Sequence, residues 1–102
     1  MRNEKNKSFG SFVKDLRHNK GLSIKNLGSK LDINYSYISK IENDHSIPSE
    51  DFIKKVAEIF GHDKEELMLR AGKIPGDIIE ILKNNPKAAA DFLRKKFVSP
   101  RE

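Results

Sequence analysis

Between positions 35 and 40 the chain brings together Tyr35, Ser36, Tyr37, Ser39 and Lys40, and these two tyrosines are the only ones it has. Phenol, hydroxyl and ammonium groups can all hydrogen-bond, so how the backbone spaces them decides what they can touch. On a helix advancing about 100° per residue, Ile38 and Ile41 fall within about 60° of each other and form a narrow apolar seam. Tyr35, Ser36, Ser39 and Lys40 fall on the other side, and Tyr37 sits at the border. An ordinary surface helix more often shows pairs of Glu and Lys. Small hydroxyls beside a Tyr and a Lys suit hydrogen bonding to base edges and phosphates. On pattern alone, the stretch reads either as such a contact face or as solvated surface, with Tyr37 as a packing residue whose hydroxyl reaches the rim.

Other chemistries find less support. His18, His45 and His62 share no spacing suited to a metal, and HExxH is absent. No serine lies in a GxSxG elbow. Asp63, Glu65 and Glu66 read as negative charge at a helix N-terminus rather than as paired general acids. No catalytic set, metal site or cofactor is expected, and an enzyme is not the expectation.

Composition sets the frame. The chain has 102 residues, 34% charged and 36% hydrophobic, which suits one compact domain plus an appendage. It has no cysteine, so disulfides and thiolate metal sites are unavailable. No apolar run approaches the roughly 20 residues that span a bilayer. The charged stretch from Met1 to Lys7 is followed by no secretory apolar region, so a cytoplasmic location is expected and no membrane partner. The net charge is +5, which favours polyanionic partners, nucleic acid first. Most of the excess lies in the first half: nine Lys/Arg against five Asp/Glu through Pro48, then eleven against ten.

The elements that hold these residues read as short helices separated by Gly, Pro and capping residues. Phe9, Phe12, Val13 and Leu16 follow helical spacing over 8–20. Ser23 caps a second helix carrying Leu27 and Leu31. Asp32 and Ile33 form a break, and Asn34 caps a third helix running through about Glu42. Ser49 caps a fourth helix carrying Phe52, Ile53, Val56 and Phe60, with Phe9, Phe12, Phe52 and Phe60 taken as core. Asp63 and Glu66 match a capping box for a fifth helix that ends near Ala71. Gly72, Pro75 and Gly76 mark a hinge. Two further helices are expected over 77–83 and 86–97, the second with Asn85 as cap and Pro86 at its first position. The fold class is all-α, with five helices in 8–71 and a two-helix tail.

A helix, a three-residue break and a second helix is the spacing of a helix-turn-helix. Residues 16–61, with Gly21-Leu22-Ser23, the run Ser36-Tyr37-Ile38-Ser39-Lys40-Ile41-Glu42, Pro48-Ser49 and Ala57 to Gly61 in register, resemble the Cro/C1-type, or Xre-type, helix-turn-helix regulators of phages and bacteria. The resemblance covers about residues 8–71 and implies a lambda-repressor-like five-helix domain that binds operator DNA as a two-fold dimer. It places Tyr35, Ser36 and Lys40 at base-contacting positions, with Ser39 nearby. Asn34, Asn43 and His45 fall where the family meets phosphate. It also implies an ion pair between Arg17 and Glu42 that ties the first helix to the third. Three positions depart from the family pattern, one of them Asp32, which stands where Gly is often found. Ile24 replaces the family's usual Gln, whose amide bonds a phosphate. Gly28 stands where Ala is common, at a cost of about 1 kcal/mol within a helix.

The resulting layout is a basic arm over 1–7, a DNA-binding domain over 8–72 and a helical tail over 73–102. Ile74, Ile78, Ile81, Leu82, Phe92 and Leu93 load two short helices with more apolar surface than they can hide. Three arrangements are open for them: folding back on the domain, pairing with a second copy, or docking a different protein such as an anti-repressor or toxin. The expected function is a sequence-specific DNA-binding regulator, most simply a dimeric repressor on a near-palindromic operator of double-stranded DNA. The alternative is an antitoxin-like or partner-sequestering protein whose DNA binding is autoregulatory.

Overall fold

The computed structural model describes residues 7–98. These form seven helices and no strand: α1 (Phe9–Asn19), α2 (Ile24–Leu31), α3 (Tyr35–Glu42), α4 (Glu50–Phe60), α5 (Lys64–Arg70), α6 (Gly76–Asn84) and α7 (Pro86–Phe97). The arm expected over 1–7 lies outside the described residues except for Lys7, whose ammonium is paired with Asp15.

Side chains start the first five helices. Ser8, Ser23, Asn34, Ser49 and Asp63 each accept a hydrogen bond from a backbone N–H in the first turn. Two caps differ from the sequence expectation. At α5 only the Asp63 half of the box is made, with Glu66 donating its N–H at 3.0 Å. The reciprocal box is instead at α2, where the shorter Asn26 side chain reaches back to the Ser23 N–H. Asn85 stands at the N-cap position of α7 with Pro86 behind it, as expected, but its side chain makes no capping bond there; its amide instead donates to the Ile81 carbonyl and closes α6. Pro86 has no N–H to satisfy, which lowers the demand for a cap there.

The core is built where the five helices converge. Val13, Leu27, Ile38, Phe52, Ile53, Val56 and Leu67 are fully enclosed, and Phe9, Phe12, Leu31, Ile41, Ala57 and Met68 complete it. Phe60, taken as core from the sequence, is only half-buried against its edge. It is the last residue of α4, where the chain turns away at Gly61.

α6 and α7 form a helical hairpin, each packing on the other, and neither contributes a buried residue. Ile74, Ile78, Ile81, Phe92 and Leu93 are exposed and Leu82 is half-buried. The apolar load is therefore not absorbed by folding back on the core.

Candidate nucleic-acid interface

The corner between α2 and α3 depends on two small-scale constraints. Asp32 ends α2 in the left-handed region at φ 56°, a conformation Asp tolerates better than most residues with a Cβ. The chain then folds back so that the Ile33 N–H donates to the Gly28 carbonyl at 2.9 Å. A Cβ at Gly28 would lie 2.8 Å from the Ile33 carbonyl oxygen and 3.4 Å from Tyr35 Cβ. The propensity lost by having Gly inside a helix is thus exchanged for a close corner.

α3 is then fixed from behind. Ile38 and Ile41 are 0% and 1% exposed. Arg17 of α1 reaches Glu42 through two hydrogen bonds, Nε to Oε2 at 2.8 Å and Nη2 to Oε1 at 3.0 Å. Its Nη1 donates to the Leu22 carbonyl at 2.9 Å, so one guanidinium joins α1, the following turn and α3. Hydrogen bonding to Glu42 raises the Arg17 pKa above its ordinary value; burial opposes this and the carboxylate charge adds to it.

Tyr37 is also held inward. Its hydroxyl accepts the Ser49 N–H at 3.1 Å, and its ring meets Phe52 edge-on at 5.4 Å between centroids. It braces α3 against the start of α4.

The outward face carries Tyr35, Ser36 and Lys40, all exposed, with Ser39 half-buried beside them. The Asn34 carboxamide oxygen accepts both the N–H and the hydroxyl of Ser36 at 2.8 Å, which leaves its NH₂ group to donate outward. Asn43 closes α3, its side-chain amide donating to the Ser39 carbonyl at 2.9 Å. His45 is exposed in the loop beyond, and its backbone N–H donates to the Lys40 carbonyl at 2.8 Å.

Two features of the site are not evident from the sequence. Lys25 of α2 sets its ammonium 5.4 Å from the centre of the Tyr35 ring, a cation–π contact. Gly10 of α1 lies against the end of α3 and donates its N–H to Asp44 Oδ1 at 3.2 Å. No helical periodicity links these pairs, because their partners lie on different elements.

The exposed hydrogen-bonding face, the buried isoleucines and the tight corner are the parts of a helix-turn-helix, with α2 and α3 as its two helices. Residues 10–73 match the family model described as helix-turn-helix domain. The chain belongs to this family. No curated protein matches it in sequence. Among solved structures it is similar to the SinR protein/SinI protein complex, with 23% identity over 86% of this chain and 93% of that chain and a TM-score of 0.55. It is also similar to the clp gene regulator ClgR from Corynebacterium glutamicum, with 16% identity over 97% of this chain and all of that one, again with a TM-score of 0.55. What is shared at these identities is the fold.

This helix-turn-helix protein therefore has the fold of DNA-binding regulators. The family match ends just beyond α5, so α6 and α7 lie outside it. No described helix is long and apolar enough to cross a membrane.

Proposed function

We propose that the protein is a cytoplasmic transcriptional regulator that binds double-stranded DNA as a dimer and represses by occupying a near-palindromic operator. The observation that carries this reading is the division of α3: Ile38 and Ile41 are enclosed while Tyr35, Ser36 and Lys40 stand exposed on the opposite side. In this reading residues 34–42 enter the major groove. Tyr35, Ser36, Ser39 and Lys40 meet base edges, and Asn34, Asn43 and His45 meet phosphates. Residues 8–72 act as the DNA-binding unit and the hairpin over 73–98 as the assembly unit.

Dimerisation uses the tail. Ile78, Ile81, Leu82, Ala89, Phe92 and Leu93 line one predominantly apolar groove of the α6–α7 hairpin. A second hairpin covers that groove, with the exposed Ile74 also assigned to the contact, and sets two copies of α3 about 34 Å apart, one turn of DNA. A second reading has the same groove docking a different protein, in the manner of an anti-repressor or toxin. It is favoured by the likeness to SinR, whose structure is that of a complex with the SinI protein.

Selection of bound sites from random duplexes, with the solution mass of the protein and of the complex, tests the proposal. The expected result is one enriched motif with two inverted half-sites about one DNA turn apart, bound by two copies of the chain. Enrichment of no sequence over random DNA would overturn it. A monomer that dimerises only with a co-purifying partner would favour the second reading.

A further inference from the structure

Where the start of α2 meets the exposed face of α3, an open cleft is lined by Ile24 and Lys25 of α2 and by Tyr35, Ser36, Ser39 and Lys40 of α3. Its lining is mostly carbon, which is unusual for a surface placed against hydrated base edges and phosphates. Ile24 is the cause. It is the first residue of α2, half-buried against the core, with the rest of its side chain facing the cleft. The Tyr35 ring adds to the carbon lining and is held by the Lys25 ammonium in a cation–π contact.

We propose that this cleft receives the C5-methyl group of a thymine, with Ile24 as a specificity-determining residue. The inference rests on the DNA-binding reading above and adds a base preference to it. Polar base edges pressed against Ile24 would lose hydration without gaining a hydrogen bond, which is unfavourable. The apolar group that a base pair presents in the major groove is the thymine methyl. Lys25 and Lys40 also line the cleft, and their positive charge suits the negative potential of phosphates and of guanine edges flanking that base. Ile24 thus exchanges the phosphate contact that a Gln would make for a contact with one base.

The test uses the full chain and the duplex enriched by selection. Each thymine in a half-site is replaced in turn by uracil, which keeps the hydrogen-bonding edge and removes only the methyl. Affinity is read by fluorescence anisotropy for the wild type, Ile24→Val and Ile24→Gln, with thermal melts confirming that each is folded. The expected result is a loss of about fourfold at one thymine per half-site, the worth of one buried methyl group. That loss should persist in Ile24→Val, which keeps a carbon wall, and vanish in Ile24→Gln. Specific binding that tolerates uracil everywhere, or a methyl effect undiminished in Ile24→Gln, overturns the inference while leaving the DNA-binding reading intact. Failure to enrich any duplex overturns both.

Discussion

Arg17 and Glu42, 25 residues apart in sequence, face each other through two hydrogen bonds of 2.8 and 3.0 Å and are both almost wholly enclosed. A buried pair of this kind is costly to break, because removing one partner strands a charge. Arg17→Ala and Glu42→Ala should each destabilise the fold by about 3–5 kcal/mol in urea unfolding. The double variant should cost clearly less than the sum; strict additivity would show that the two side chains are not coupled. Because the folded Arg17 pKa is raised, its contribution is complete below the unfolded arginine's pKa and is lost only as the pH rises through the higher folded value. Stability should show no loss from Arg17 through the neutral range.

Gly10 is the second point at which α1 is fitted to α3. A Cβ there would lie 2.3 Å from the Ile41 carbonyl oxygen and 2.7 Å from that of Glu42, both backbone atoms that cannot swing aside. Gly10→Ala should therefore destabilise by at least about 1–3 kcal/mol, although Ala is the better helix former. A thermal melt unchanged or raised by the substitution would contradict the close approach.

Tyr37 separates bracing from DNA contact within one short helix. Tyr37→Phe keeps the ring against Phe52 and removes the hydroxyl that accepts the Ser49 N–H. The expected cost is about 1 kcal/mol of stability, with DNA affinity unchanged once the protein is folded. A large loss of affinity without loss of stability would make Tyr37 a base-contacting residue.

Much of this arrangement is legible along the chain. The caps at Ser23, Asn34 and Ser49 and the seam of Ile38 and Ile41 are local patterns, set by spacing within one helix. The need for Gly28 is half-legible: its propensity cost is visible in the sequence, but the Ile33 carbonyl that forbids a Cβ appears only once the corner has folded. The contacts of Gly10 with Asp44 and of Lys25 with Tyr35 join separate elements, and no periodicity encodes them. Phe60 is in phase with the core but sits at the end of α4 where the chain leaves it, and Asn85 holds its cap position while its side chain is taken by the Ile81 carbonyl of the preceding helix.

The tail carries its own prediction. Ile81 and Phe92 are 53% and 63% exposed and line the apolar groove. If the proposed dimer forms through this groove, Ile81→Asp and Phe92→Asp should leave only monomer in sedimentation while the melting of the α1–α5 core stays in place, because neither residue belongs to that core. Dimers that survive both substitutions would move the interface elsewhere.

Lys40 distinguishes specific from general affinity. Lys40→Ala should cost about 1–3 kcal/mol on the selected site and much less on random DNA if its ammonium meets a base edge. An equal loss on both would make it a phosphate contact, with a shallower salt dependence as the accompanying sign.

The placement of α3 in the groove is tested most directly by following backbone amide resonances as the selected duplex is titrated into labelled protein. The largest shifts should fall on Asn34 to Lys40 and on the first turn of α2, with the amides of α7 hardly affected. Shifts centred on α6 and α7, with Tyr35, Ser36 and Lys40 unmoved at saturation, would contradict the account.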